Sequence, residues 1–377
     1  MRIALVHDWL NQMGGAENVL ITLKEIFPEA PVFTSIYDPD AMPSLMREWE
    51  IHTSFLNRIP GITKRHQAFL PLYPLAFEQF DFSGFDVVIS NKSGFCHGII
   101  TPPQTLHICY CLTPTRYLWN TSTYIAREGI GGWAKRVLPP FLSALRVWDR
   151  VAADRVDRFV SISTAIQHRV RKFYRRDSVI IYPPVETSRF ATDAPPGEYD
   201  LIVSRLIPYK RIDLAVKAYT QLQKPLVIIG DGRDREALER IAGPTVRFLG
   251  RVSDEELPRW VQGCRAFVFP GEEDFGIAPI EAQAAGRPVI AFAAGGALDT
   301  VIEGVTGTFF HEQTPAALAE AVQRLDRMTF DPDRIRRHAV RFDTTAFKTA
   351  IREFVEEAFA EHQARFRQGV RHTEEVG

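Results

Sequence analysis

The chain has 377 residues, too many for one comfortable core and enough for two domains of ordinary size. Its 45% hydrophobic and 24% charged residues argue against extended disorder, and a net charge of −1 excludes a global field that would gather nucleic acid. No apolar run approaches the ~20 residues of a membrane span, and the short run Ile3–Val6 cannot serve as a secretory core, so a cytosolic protein is expected. Cys96, Cys109, Cys111 and Cys264 form no C-x-x-C pair and read as small core hydrophobes in a reducing compartment.

The first predicted strand is Arg2–Val6. A loop holding Gly14-Gly15-Ala16-Glu17 follows, then a helix Ala16–Ile26 that ends before Pro28. Further strands are predicted at Asp86–Ser90, His107–Cys111 and Phe159–Ile162. Pro183-Pro184 and Pro195-Pro196-Gly197 then bracket a polar stretch, and strand–helix order restarts at Tyr199. The second set of strands is Leu201–Ser204, Leu226–Ile229, Val246–Leu249, Ala266–Phe269 and Val289–Phe292. Helices are predicted at Arg211–Leu222 and Asp254–Gln262, the latter opened by the capping-box pattern Ser253-Asp254-Glu255-Glu256. Many of the strands are rich in Val and Ile and barely alternate, as strands buried on both faces do. The predicted fold is therefore α/β, with two doubly wound, Rossmann-like domains facing each other across a cleft. Residues 1–185 form the first domain and 186–344 the second. A helix within 345–368 packs back across the joint, and the polar tail beyond is loose.

Chemistry in such folds comes from loops after strands. The sharpest motif is Glu273-Asp274-Phe275-Gly276-Ile277-Ala278-Pro279-Ile280-Glu281. Gly276 and Pro279 forbid one continuous helix, and Pro279 suits a first helical turn. Glu273 then lies ahead of the helix and Glu281 in its first turn. The N–H groups of Phe275, Gly276, Ile277 and Ala278 are left to bind phosphate, and the two carboxylates to accept from sugar hydroxyls. The second motif, Ser204-Arg205-Leu206-Ile207-Pro208-Tyr209-Lys210-Arg211, puts two cations on one short loop, which suits a diphosphate. Such cations hold a departing nucleoside diphosphate more strongly as its charge grows. Gly14 and Gly15 let backbone approach a ligand, or form a simple loop. Gly295-Gly296-Ala297-Leu298-Asp299 repeats the pattern later in the chain. Gly230-Asp231-Gly232 is no nicotinamide fingerprint, because residue 235 is Arg. Asp38-Pro39-Asp40 and Asp331-Pro332-Asp333 read as turns rather than metal sites, and the histidines lack metal-ligand spacing, so no metal or other cofactor is expected. His97 reads as a packed or exposed loop residue, with an acceptor contact as the alternative.

Together these motifs resemble the retaining glycosyltransferases of family 4, which have the GT-B fold; the resemblance runs from Gly14-Gly15 to Gly295-Gly296. It implies that Arg205 and Lys210 grip the donor diphosphate, Glu273 the transferred sugar and Glu281 the ribose. It also implies that the backbone of Arg251 and Val252 meets the base, and that the Gly14-Gly15 loop approaches the donor phosphates and acceptor. The segment Cys109–Trp119 resembles a loop of mannosyltransferases in this family, although Leu112 stands where many relatives carry His. Asp299 stands where relatives usually have Glu. The implied reaction is front-face transfer, with the leaving phosphate oxygen taking the acceptor's proton. GDP-mannose is the implied donor, and a polysaccharide or glycolipid precursor is the expected acceptor. A UDP-sugar donor, a sugar-nucleotide epimerase and a binding-only protein are the alternatives. Trp119, Asn120, Tyr124, Trp133–Leu138 and a helix Phe141–Val156 bearing Arg146, Arg150 and Arg155 form an aromatic, basic region. It reads either as a packed amphipathic helix with solvated arginines or as a peripheral contact with the inner face of a membrane.

Overall fold

The computed structural model describes residues 1–119 and 134–375. The chain divides into two compact units, one of residues 1–182 with 347 onward and one of residues 183–346. Unit 1 holds β1 (Ile3–His7), β2 (Val32–Thr34), β3 (Ile51–Thr53), β4 (Val87–Lys92), β5 (Leu106–Cys111), β6 (Arg158–Ser161) and β7 (Ser178–Ile180), in the order β3-β2-β1-β4-β5-β6-β7. Unit 2 holds β8 (Asp200–Val203), β9 (Leu226–Ile229), β10 (Val246–Gly250), β11 (Phe267–Phe269), β12 (Val289–Phe292) and β13 (Gly307–Phe310), in the order β10-β9-β8-β11-β12-β13. The paired strands of both sheets run parallel, for example Ala4 beside Val88 and Leu201 beside Val227.

The missing alternation in the sequence is explained by this burial. β1, β4 and β5 are buried along their whole length because helices cover both faces of the sheet. Each buried aliphatic side chain contributes ~1.5–3 kcal/mol, so Leu5→Ala should cost ~2–5 kcal/mol. Four strands escaped the sequence reading: β2, β3, β7 and β13. Three of them have only three residues, and β3 and β7 lie at sheet edges and are partly exposed, so the apolar signal is short or absent. The helix expected at Asp254–Gln262 runs instead over Leu257–Gly263. Ser253 and Glu256 do exchange the reciprocal capping bonds, at 3.2–3.3 Å, around the turn that precedes it. The last helix spans Thr344–Glu375, and from Phe347 onward it groups with unit 1: Phe347 meets Tyr110, Lys348 pairs with Glu25, and Arg158 donates to Glu361.

Candidate active site

In unit 2 the chain passes from β8 outward to β9 and β10, then returns to β11 on the other side. The carboxyl ends of β8 and β11 therefore flank the point where strand order reverses, the usual ligand crevice of an open α/β sheet. The loop after β8 carries Lys210 in the turn Pro208–Lys210, and the loop after β11 carries Glu273. Lys210 Nζ and Glu273 Oε2 form an ion pair across that point, with the side chains 14% and 19% exposed. The ammonium also lies 5.3 Å from the Tyr209 ring. Backbone packing sets this pair. A Cβ on Gly271 would stand 2.8 Å from the Lys210 carbonyl oxygen. Gly295 has φ +62° and a Cβ there would stand 2.1 Å from the Glu273 carbonyl oxygen, which accepts from Gly296 N–H at 2.8 Å. The second Gly-Gly motif thus shapes the site from beneath by close approach.

The helix after β11 spans Ile277–Ala284, capped by Gly276 at φ 93° with no side-chain bond to its N-terminus. The N–H groups of Gly276, Ile277 and Ala278 have no partner among the described residues. Three free donors at the positive end of a helix, just after Glu273 in the chain, suit an anion. Because the helix begins two residues before Pro279, Glu281 sits in its second turn and not its first. Burial raises the Glu281 carboxyl above the ordinary carboxylate range; Arg189 opposes this and Asp254 adds to it. Arg205 is exposed on the loop after β8. Phe275 is buried, with its ring 5.9 Å from Phe342, so its side chain serves packing. Arg251 is exposed and Val252 half-buried, just past Gly250, whose carbonyl accepts from Gly230 at 2.7 Å.

Gly14 and Gly15 stand in unit 1, exposed at the start of the helix Gly15–Ile26. Here the strand order reverses between β1 and β4, and a polar assembly missed in the sequence surrounds that point. Asp8, fully buried, accepts from the backbone N–H groups of Ser93, Gly94, Phe95 and Cys96 at 2.6–2.8 Å. Asn91 directs its amide to His7 Nδ1 at 3.2 Å and to the Ala16 carbonyl at 2.8 Å; His7 Nε2 then donates to Glu17 at 3.3 Å. Glu17 is thereby fixed beneath the Gly-Gly loop. The buried Lys92 ammonium donates to Thr113 O and Thr115 Oγ1, and Asp149 accepts from Trp119 Nε1 and Tyr174 OH. His97 is packed, bonded to the Asp149 carbonyl at 3.1 Å, and burial, then Lys92, lowers its pKa to about 4. The signal for these residues was a charge abutting a buried strand's carboxyl end, at Asp8 and Lys92.

Asp331 caps the helix Pro332–Ala339 and Asp38 accepts from Asp40 N, so both acidic pairs act as turns. Among the described residues no group of three or more His, Cys, Asp or Glu could hold a metal. All four cysteines are buried and free. Of the aromatic, basic region, Asn120–Trp133 lie outside the described residues, as do the side chains of residues 134–138. Its arginines are not simply solvated: Arg146 donates to Leu118 O, Arg150 pairs with Asp154, and Arg155 pairs with Glu78. Phe141, Val147 and Val151 are exposed. Among the described residues no helix is long and apolar enough to cross a membrane.

Residues 185–342 match the family "Glycosyl transferases group 1". The chain is 27% identical to the GDP-mannose-dependent alpha-mannosyltransferase of Mycobacterium tuberculosis over 87% of its own length and 89% of that protein. It is 26% identical to an uncharacterised glycosyltransferase of Methanocaldococcus jannaschii over 48% of its length, and spans about half (52%) of that relative. The fold matches that of Anabaena HepE, solved in complex with UDP, with a TM-score of 0.69, 17% identity, and coverage of 95% of this chain and 100% of that one.

Proposed function

We propose that this chain, a mannosyltransferase-like glycosyltransferase of the GT-B fold, moves mannose from GDP-mannose to a hydroxyl of a polysaccharide or glycolipid precursor, retaining configuration and using no metal. The observation that carries the reading is the Lys210–Glu273 pair at the switch point of unit 2, with the free N–H groups of Gly276, Ile277 and Ala278 following Glu273 in the same loop-to-helix segment. Lys210, Arg205 and those amides bind the diphosphate. Their hold tightens as the glycosidic bond breaks and charge gathers on the leaving oxygen. Glu273 accepts from hydroxyls of the sugar and Glu281 from the ribose. Arg251 and Val252 border the base, and the Gly14-Gly15 loop of unit 1 offers its backbone to a substrate. With neutralisation supplied by Lys210, Arg205 and a helix start, a bridging metal is unnecessary. Front-face attack returns the acceptor's proton to the leaving phosphate oxygen, so no side chain acts as general base. The mannosyltransferase relative supports the sugar and the guanine base.

The test supplies GDP-mannose, a UDP-sugar or an ADP-sugar with an acceptor mixture and measures nucleoside diphosphate release and product anomeric configuration, with and without EDTA. Acceptor-dependent release from GDP-mannose, unaffected by EDTA and giving the α-mannoside, is expected. An inverted product, loss of turnover in EDTA, or conversion of the donor without an acceptor into an epimer each refutes the corresponding part. Peripheral contact with the inner face of a membrane is proposed for the exposed Phe141, Val147 and Val151.

A further inference from the structure

Unit 1 carries a second polar edge that the proposed donor site leaves unused. β1, β2 and β3 are parallel neighbours, so the loops leaving His7, Thr34 and Thr53 emerge together. Asn11 donates to the Thr63 carbonyl at 2.7 Å and lies 3.1 Å from His66 Nδ1. The Trp9 ring lies 5.2 Å from His66 and 5.8 Å from Tyr73. These contacts clamp residues 62–73 onto the loop after β1.

From Ile51 to Phe77 the chain holds Arg58, Lys64 and Arg65 and not one Asp or Glu. All three cations are exposed, and none pairs with a carboxylate among the described residues. Phe55, Ile59, Phe69, Leu70 and Leu72 of the same stretch pack onto the core of unit 1. The outward face is therefore cationic and polar, with Leu75 the one large apolar side chain strongly exposed there. Such a face suits an anion in water better than insertion into hydrocarbon. Burial holds the His66 imidazole below the usual histidine range, outweighing its bond to Thr63, so the ring is neutral near pH 7. Asn11 Oδ1 and the Tyr37 hydroxyl are buried without partners, polar capacity that the fold itself does not use.

We propose that this edge selects an acidic acceptor, a saccharide whose phosphate or carboxylate lies on Lys64 and Arg65, next to the Asn11–His66 contact. The inference rests on the glycosyl-transfer reading and adds the acceptor's chemical class. The full chain is assayed with matched neutral, uronic-acid and phosphorylated acceptor saccharides. Lys64→Glu/Arg65→Glu and the milder Lys64→Ala/Arg65→Ala are compared with the unaltered protein, and melting curves report folding. The expected result is a kcat/KM on the order of tenfold higher for one or both acidic acceptors, lost in both variants through KM and weakened by salt. Whether the uronic acid or the phosphate responds names the anion. Nuclear magnetic resonance titration with mannose 6-phosphate against mannose reads the same edge without turnover; only the phosphate should shift the Lys64–His66 amides. Equal use of neutral and acidic acceptors, or variants that change all acceptors alike, overturns the inference. So does a loss confined to binding of anionic vesicles with soluble-acceptor kinetics intact. Donor-induced thermal stabilisation separates the two readings: if it is present while acidic selectivity is absent, only this inference falls, and if no nucleotide sugar stabilises the protein, the transfer reading falls first.

Discussion

Replacing Lys210 with alanine removes the ammonium that faces Glu273 at the strand-order reversal of unit 2. Two unit charges ~4 Å apart attract by about 4 kcal/mol at an effective dielectric of about 20. The side chain is 14% exposed, so solvent trims this only in part. Removing one fixed donor from a developing oxyanion costs ~2.7–4 kcal/mol, or about 10²–10³ in rate. A fall in kcat/KM of about 100-fold or more is therefore expected, with weaker nucleoside diphosphate binding. The loss of folding stability should be only about 1 kcal/mol, because the pair is partly solvated. Initial rates with nucleotide sugar and acceptor, thermal-shift affinities for the free nucleoside diphosphate, and melting curves measure the three effects. A Glu273→Gln variant and the double variant complete a cycle. Under the proposed roles, with the carboxylate at the sugar and the ammonium at the phosphates, Glu273→Gln should lower turnover far more than nucleotide affinity. If Lys210→Ala keeps kcat/KM within about threefold and binds nucleotide as the unaltered protein does, Lys210 merely holds Glu273 and the diphosphate assignment is wrong.

Four other outcomes follow from the same geometry. The Glu281 carboxyl is raised by burial, so the folded state binds its proton more tightly than the unfolded chain does, and its contribution is full at acid pH and lost as pH rises past the ordinary carboxylate range. Glu281→Gln should thus raise the melting temperature near pH 7 but not near pH 4, while weakening donor binding; an equal shift at both pH values contradicts this. Gly295→Ala forces a side chain into a φ of +62° and onto the Glu273 carbonyl, and should cut turnover more than about tenfold while the fold survives, as circular dichroism and kinetics would show. His97 and His107 are lowered by burial to about 4 and about 3. Their contribution is full above the ordinary histidine value and lost as pH falls from about 6.5 through about 4 for His97 and about 3 for His107, so urea midpoints should decline over that window; His97→Gln should flatten the slope. Changing Phe141, Val147 and Val151 to serine should reduce sedimentation with anionic liposomes at low salt, and unchanged sedimentation removes the membrane contact.

The sequence made the sheets legible through unbroken Val and Ile runs, because parallel strands covered on both faces have no solvent side to alternate toward. It could not show β3 and β7, which are short, lie at sheet edges and bury little. Lys210 and Glu273 were readable as types at loop positions. Their direct pairing was not, since it depends on the reversal between β8 and β11, a long-range property of strand order. The Asp8 assembly was hidden for a related reason. A lone carboxylate after a strand says nothing until the loop after β4, more than 80 residues away, folds its N–H groups around it. Local pattern reveals where polar groups stand; sheet topology decides which of them meet.

That dependence bears on how the proposed site works. Lys210 and Glu273 are each held by their own loop; the close approach of Gly271 to the Lys210 backbone joins the two loops, and the Gly296–Glu273 backbone bond ties the second to the loop after β12. A diphosphate on Lys210 competes with Glu273 for the same ammonium. Partial transfer of that charge to phosphate releases the carboxylate to accept from a sugar hydroxyl, and neither loop need move. Donor phosphate and donor sugar are then recognised jointly rather than additively. A nucleoside diphosphate lacking its sugar should engage Lys210 yet leave Glu273 without a partner, and so should bind less tightly than the sum of separate contacts implies. In the cycle above, Glu273→Gln should therefore narrow the affinity gap between the nucleotide sugar and the bare nucleotide. An unchanged gap would mean that the two side chains act independently.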